Sequence, residues 1–411
     1  MIKEKSSFLI RALTLIVGAI SNFAIASILL RHLGPAGFGQ YVLLTSLPAL
    51  VPFADFGMGA NIFNYYADKA SGLKVIDPVS ETFYISSIVS SLIFLTITTI
   101  TLSLLHFTNL LATITKSDIY TGLVILFLTF LAVPFSIAVK KMFAEGKIAL
   151  VIFTQGLIPP LVMTLVFCFF KFDIRFSSIL FLFPCLAYLF STYTIFLLSK
   201  IHKDIRRTNF ADLTSRAKPI FRLGGWSFCV TTVVVLMWQT PKYMIQWVGT
   251  SRDLTEYSLM TLVLLPGLSF LGIAVTWLAT AVRGINYDSS VPELISRSRK
   301  SALLVLLLFS VLAFIGLHIL SSLGLTIPNF KSQVIAFIIL LLSPMWILPL
   351  SVFTNVKDLK WISVRIFPCF VLANFVFAFS FQIGYEFAIF AYTTFIFVPF
   401  YYFSNTRIRK L

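Results

Sequence analysis

Long apolar stretches separated by short polar segments alternate along the whole chain of 411 residues. A helix that crosses a bilayer needs about 20 consecutive apolar residues. Twelve stretches of about that length occur, at roughly 8–30, 40–64, 83–105, 119–139, 148–170, 177–198, 225–248, 257–281, 302–323, 332–354, 362–381 and 385–403. The longest connector, 199–224, is too short for a soluble domain. The pattern therefore predicts an all-α integral membrane protein with about twelve transmembrane helices.

The connector 199–224 divides the chain into a six-helix half at 1–198 and a second six-helix half at 225–411. Six spans per half return the chain to the same side of the membrane, so any internal repeat is a parallel one. The segments 28–41 and 244–257 support such a repeat. In each of them a helical stretch ends at a glycine, a short polar turn follows, and a tyrosine opens the next apolar run.

The composition excludes a water-soluble enzyme. Hydrophobic residues make up 58% of the chain and charged residues 12%, with a mean hydropathy of +0.94, whereas soluble domains are about 25% charged. The net charge of +16 has a topological explanation. With a cytoplasmic N-terminus, the cytoplasmic segments hold 25 of the 32 Lys and Arg residues and the outer connectors hold six. This split follows the positive-inside rule; it predicts that both termini are cytoplasmic and argues against nucleic-acid binding.

Two charged residues lie inside predicted spans and away from their first and last turns, where an ionised group costs at least about 2.5–3.5 kcal/mol unless it finds a cavity or a partner. Asp55 lies about halfway along span two, and we expect it to face a cavity or an ion pair. Lys242 lies near the outer end of span seven. It can either face a lumen or extend its ammonium group to the outer interface.

Uncharged polar residues add candidates for a pathway through the membrane. Gln239 lies three residues before Lys242, hence on a similar helix face, and Asn61 and Asn22 lie in spans two and one. The alternative for each amide is a hydrogen bond that joins two helices. The sequence has no paired acids, no nucleophile–base group, no Walker lysine and no metal-ligand spacing. We therefore predict no catalytic residue, no metal site and no cofactor.

Two segments resemble a known family. The run L30-R-H-L-G-P-A-G-F-G-Q-Y41, followed by F53-A-D-F-G-M-G-A60, is similar to the N-terminal signature of Wzx-type O-antigen and capsule repeat-unit flippases. The run Q239-T-P-K-Y-M-I-Q-W-V-G249 with L254-T-E-Y257 resembles the family's junction of spans seven and eight. These flippases belong to the multidrug/oligosaccharidyl-lipid/polysaccharide (MOP) exporter superfamily, which includes the MATE transporters. One departure is Pro241, which stands where the family often has an acidic residue before the basic one.

The resemblance implies a transporter in the bacterial inner membrane and not an enzyme. Its substrate would be an undecaprenyl-diphosphate-linked oligosaccharide, moved to the outer leaflet by alternating access for O-antigen or capsule assembly. A polysaccharide polymerase, a chain-length regulator and membrane lipids are the implied partners, and a proton or sodium gradient is the implied energy source. Lys242 would contact the diphosphate or an acidic sugar, and Asp55 would support an ion relay.

Two other functions fit the pattern of spans. A drug/cation antiporter of the same superfamily would also have twelve of them. An O-antigen polymerase, an enzyme, is likewise very apolar, but polymerases of that kind carry a long outer loop, and the longest outer connector here is only 106–118.

Overall fold

The computed structural model describes residues 24–34, 37–39, 41–43, 55–70, 77–107, 116–158, 177–205, 210–250, 253–259 and 356–408, together with residues 17, 21, 46, 161, 162, 164, 293, 295, 296, 298–300, 303, 307, 311, 314, 315 and 318. Every regular element within these residues is helical. In chain order the elements are α1 (Ala24–Gly34), α2 (Gly59–Ala70), α3 (Val79–Phe107), α4 (Lys116–Ala144), α5 (Ile148–Val151) with a π-helix (Ile152–Leu157), α6 (Ser177–Leu198) with a 3₁₀ turn (Ile201–Lys203), α7 (Phe210–Val248), α8 (Val356–Phe381) and α9 (Tyr385–Ile408).

Four of the described helices are long and apolar enough to cross a membrane. They contain the segments Val79–Ser103, Ile119–Ala144, Lys357–Phe381 and Phe387–Ile408. The two segments of α7, Ser215–Val234 and Gln239–Ile245, make a fifth when they are counted together. The four helices confirm the predicted spans three, four, eleven and twelve. Twelve spans remain a prediction, because most of residues 257–354 lie outside the described part of the chain.

The chain divides into two compact units. The first comprises Met1–Ser21 and Gln40–Val235, and the second comprises Asn22–Gly39 and Leu236–Leu411. The predicted halves, 1–198 and 225–411, stay a prediction. The predicted connector 199–224 is not all loop, since α7 already begins at Phe210.

Helix α7 begins early because one of its stripes is apolar. Leu213, Ala217 and Ile220 recur at intervals of three to four residues and pack against Met58 and Ile85 of the first unit. Such spacing places them on one helix face.

In the first unit, α4 packs against α2, α3 and α6. The core between these helices consists of large apolar residues that are almost fully buried, among them Ile62, Val79, Ile137, Met142 and Ile195. The outer face of α3 is also apolar. Its exposed residues include Ile88, Leu92 and Leu95, as expected of a helix surrounded by lipid chains.

In the second unit, α8 packs lengthwise on α9. The buried residues of α8 recur every three to four positions and comprise Ile362, Ile366, Phe370, Ala373 and Phe377. The buried face of α9 includes Ala388, Tyr392, Ile396 and Phe400, and Phe377 meets Tyr392 edge to face with ring centroids 5.5 Å apart.

Candidate functional site

Span two is interrupted at Asp55. The prediction treated residues 40–64 as one helical span, and the structure corrects this: Asp55–Met58 form a turn and α2 begins only at Gly59. Phe56 and Gly57 have φ angles of 47° and 67°. Two successive left-handed residues cannot be part of a right-handed helix, so α2 begins only after them.

The Asp55 carboxylate caps the new helix. Its Oδ2 accepts a hydrogen bond from the Gly59 backbone N–H at 2.9 Å, and the residue is 6% exposed. The favourable interaction of a carboxylate with a helix N-terminus contributes to its burial. The Oδ1 atom has no hydrogen-bond partner among the described residues.

Lys140 of α4 lies beside this carboxylate. A Cβ atom on Gly59 would stand 2.7 Å from Asp55 Oδ2 and 3.0 Å from both Cγ and Cε of Lys140. Only a glycine at position 59 therefore lets the lysine stem and the carboxylate approach this closely. The two residues are neighbours but form no ion pair within 4.0 Å among the described residues, so the cavity or ion pair expected for Asp55 stays a prediction.

The turn after Asp55 is pressed against α7. A Cβ on Gly57 would lie 2.2 Å from the Gly224 carbonyl oxygen and 2.6 Å from the Phe228 nitrogen. The rings of Phe56 and Phe228 stack with centroids 4.7 Å apart. The interrupted span and α7 therefore touch backbone to backbone, which glycines at both positions permit.

The amide of Asn61 contributes to the same contact. Its Nδ2 donates to the Ile220 carbonyl of α7 at 3.2 Å. The sequence leaves two alternatives for each amide, a place in a pathway or a hydrogen bond that joins two helices, and this bond is of the second kind. Asn22, the other predicted asparagine, lies outside the described residues.

Gln239 and Lys242 lie on the last turns of α7, in the second unit. Both side chains are partly buried, and Gln239 Oε1 has no hydrogen-bond partner among the described residues. Among those residues no carboxylate lies within 4.0 Å of Lys242 Nζ. The structure therefore brings Asp55 and Asn61 together in one unit and Gln239 and Lys242 in the other. Their roles in a pathway remain predictions.

A second polar cluster in the first unit was missed by sequence reasoning. Asp204 Oδ2, just after the 3₁₀ turn, accepts hydrogen bonds from the Tyr66 hydroxyl at 2.5 Å and from Lys141 Nζ at 2.9 Å. Lys141 also lies 4.7 Å above the Tyr66 ring. Partial burial acts to raise the pKa of Asp204, but these hydrogen bonds and the nearby lysine charges outweigh it and hold that pKa below its usual range. Burial, and then the Asp204 carboxylate, raise the pKa of Tyr66.

Lys140 and Lys141 serve two different carboxylates. Successive residues of a helix point about 100° apart, so the stem of Lys140 lies on the side of Asp55 while Lys141 forms an ion pair with Asp204. The sequence shows only that Lys140 and Lys141 are adjacent. The fold shows which carboxylate lies near each of them.

No group of three or more His, Cys, Asp or Glu residues that could hold a metal ion occurs among the described residues. In this part of the chain the polar groups form short hydrogen-bonded chains between apolar helices. Such an arrangement, in a chain with long lipid-compatible helices, is that of a helical integral membrane protein.

Comparison with solved structures shows which known fold this arrangement of helices resembles. A MOP superfamily transporter from Pyrococcus furiosus, whose reversed binding-pocket polarity suggests a different function, matches with a TM-score of 0.66 and 13% identity over 98% of this chain and 96% of that one. A multidrug resistance MATE family transporter in an outward-facing conformation gives 0.64 and 14% identity over 99% and 96%. An inward-facing MATE family transporter gives 0.62 and 13% identity over 98% of each chain.

The chain therefore has the fold of MATE transporters of the MOP superfamily along nearly its whole length. At these identities the likeness shows the fold alone. No protein-family model matches the chain, and no curated protein matches it significantly.

Proposed function

We propose that this protein is an exporter that moves undecaprenyl-diphosphate-linked oligosaccharide repeat units from the cytoplasmic to the outer leaflet of the bacterial inner membrane. The observation that carries the exporter part is the MOP transporter fold over 98–99% of the chain. Repeated bundles that rock about a central site are how transporters of this general design give alternating access.

The proposed substrate class rests on the two flippase-like segments and on the charges inside the apolar helices. A pathway for organic cations needs an available carboxylate. Asp55 is 6% exposed and its Oδ2 accepts a hydrogen bond from the Gly59 N–H, so it offers little surface to a bulky organic cation. Lys242, by contrast, has no described carboxylate within ion-pair distance. This polarity favours an anionic substrate such as a lipid diphosphate.

In this mechanism Lys242 contacts the diphosphate or an acidic sugar while the polyprenyl chain stays in lipid. Gln239, one turn earlier on α7, hydrogen-bonds the same polar headgroup. Asp55 takes up and releases a proton or a sodium ion as the transporter changes state, and Lys140 sets how readily it does so.

A deletion of the gene tests the function. The host should already lack the polysaccharide polymerase, so that single repeat units can be followed at the cell surface. We expect single units to vanish from the surface while diphosphate-linked units accumulate facing the cytoplasm. Surface units that persist, in a strain without a redundant flippase, would overturn the proposal.

The residue roles are tested by complementing that deletion. Lys242→Ala should lose export and Lys242→Arg should retain it, because only the charge is required. Tyr243→Phe, one position further along α7, is the matched control and should export normally. Full export by Lys242→Ala would refute the role of this lysine without touching the function. Asp55→Asn should change the dependence of export on the pH or sodium gradient, and an unchanged dependence would refute the relay.

The drug/cation antiporter keeps the same fold and is the second candidate. It predicts that the deletion strain becomes more sensitive to cationic drugs while its surface glycan stays normal. This pair of results would replace the flippase proposal.

A further inference from the structure

One face of α8 is exposed and apolar over most of the helix. Its residues recur at helical spacing and are 40 to 70% exposed; they are Val364, Phe367, Val371, Phe375 and Phe379. The opposite face is the one that packs on α9.

The length of this stripe matches the apolar part of a bilayer. From Val364 to Phe379 the helix rises about 22 Å, which fits within a hydrocarbon core about 30 Å thick. The stripe therefore faces lipid chains. Lys360 and Lys357 lie about 6 and 10 Å beyond Val364 along the same helix, at the depth of the headgroups.

Three exposed cations stand at this end of the stripe: Lys357, Lys360 and Arg365. The Arg365 guanidinium lies 4.1 Å from the centroid of the Trp361 ring, and its Nη1 donates to the Trp361 carbonyl at 3.1 Å. Stacking on an indole holds a guanidinium in place and leaves its other N–H groups available. Among the described residues no carboxylate lies within 4.0 Å of this guanidinium.

The acidic residue in the first turn of α8 does not neutralise this end. Asp358 is fully buried, and its Oδ1 accepts a hydrogen bond from Arg407 Nε of α9 at 2.6 Å. That pair is directed into the helix interface, whereas the three cations are exposed. The start of α8 therefore carries three exposed cations, and the single acid of this helix is buried.

We propose that the start of α8 binds the phosphate headgroup of an anionic bilayer phospholipid, through Lys357, Lys360 and Arg365, with the acyl chains on the apolar stripe below. The positive-inside distribution of Lys and Arg places this site in the cytoplasmic leaflet. The occupant is a lipid and not a soluble phosphate because the cations continue directly into a lipid-facing surface. The lipid is a resident of the bilayer, so the site does not depend on what the protein transports.

The test is a titration of the purified full-length protein in detergent, followed by native mass spectrometry. The probe is phosphatidylglycerol, and the reference is phosphatidylcholine with the same acyl chains. Each Lys or Arg near an anionic lipid contributes about fivefold in affinity. The triple variant Lys357→Gln, Lys360→Gln, Arg365→Gln should therefore bind phosphatidylglycerol about a hundredfold more weakly and phosphatidylcholine unchanged.

A matched control removes the same charge from the other unit. Lys203, Lys218 and Arg222 are also two lysines and one arginine, all exposed, and their Gln variants should bind phosphatidylglycerol as the wild type does. An equal loss in both triple variants would mean bulk charge attraction and would overturn the site. Displacement of phosphatidylglycerol by millimolar inorganic phosphate would overturn the lipid as occupant. Arg365→Lys keeps the charge but loses the planar stack, so it should weaken binding by a smaller factor than Arg365→Gln.

Discussion

The close approach between the turn at Gly57 and helix α7 makes a sharp prediction for the variant Gly57→Ala. An alanine Cβ would stand 2.2 Å from the Gly224 carbonyl oxygen and 2.6 Å from the Phe228 nitrogen. Carbon atoms need about 3.5 Å or more for a favourable contact, and neither backbone atom can rotate away as a side chain would. The turn and α7 must therefore separate by about 1 Å.

Two costs add in this variant. A left-handed φ, 67° at Gly57, costs an L-residue about 1–2 kcal/mol. Overpacking of a tight contact costs about 1–3 kcal/mol more. Gly146 provides the matched control, because its φ is 72° and its Cβ would meet nothing within 4 Å. Gly146→Ala should therefore lose stability only through its left-handed backbone conformation, with no added steric clash.

The measurement is the thermal unfolding midpoint of each variant, purified in the same detergent and heated at the same rate. We expect Gly57→Ala to unfold well below Gly146→Ala, which in turn unfolds slightly below the wild type. A second pair in α7 repeats the comparison without a left-handed residue. A Cβ on Gly224 would lie 3.0 Å from the Phe56 carbonyl oxygen, whereas a Cβ on Gly225 would meet nothing within 4 Å. Equal midpoints for Gly57→Ala and Gly146→Ala would refute the backbone contact.

Variants at three further positions probe the polar contacts. Asp55→Asn should keep the cap on the Gly59 N–H and unfold close to the wild type, whereas Asp55→Ala should cost about 1 kcal/mol. Asp204→Asn should lower the unfolding midpoint at pH 7; because the folded-state pKa of Asp204 is lowered, its stabilisation is present above the usual aspartate pKa and is lost as the pH falls through the folded value. The wild type and Asp204→Asn should therefore converge in acid. Arg407→Gln removes the hydrogen bond that Arg407 Nε donates to the fully buried Asp358 carboxylate, and losing a hydrogen bond to a charged group costs about 1.5–3 kcal/mol.

Each of these has a control and a contrary outcome. Lys203→Gln, beside Asp204 in the same turn, should leave the pH profile unchanged, and a gap between Asp204→Asn and wild type that does not narrow as the pH falls below the usual aspartate pKa would contradict the assignment. Lys357→Gln, an exposed charge next to Asp358, should barely change the midpoint. Equal effects of Lys357→Gln and Arg407→Gln would show that the buried pair is not formed. Identical midpoints for the Asn and Ala variants of Asp55 would contradict the cap.

The sequence predicts the long helices well because their burial in lipid depends on composition alone. Predicted spans 119–139 and 362–381 lie inside α4 and α8. The break at Phe56 could not be predicted, since a bulky residue with positive φ has no sequence signal and is held there by its stack on Phe228, a residue far away in the chain. The early start of α7 was hidden by its charges, which made residues 210–224 look like a connector.

In the candidate site, too, some features could be predicted from the sequence and others could not. Asp55 could be singled out because a carboxylate in an apolar run is costly wherever it lies. Its neighbour Lys140 and the pairing of Lys141 with Asp204 could not, because they depend on how three helices meet. The sequence therefore shows which residues carry unusual charges, and the residues that they contact are known only from the fold.

The contact between Asn61 and Ile220 also constrains the order of events during synthesis. The two residues are 159 positions apart, and a ribosome that adds about 5–20 residues per second needs roughly 8–30 seconds to cover that distance. During this interval the interrupted second span, with its buried acid, is already in the membrane machinery while the helix that completes its packing has not been made. The first half of the protein therefore cannot reach its final packing until translation has passed α7. A truncated chain that ends before Phe210 should be held by the insertion machinery or degraded.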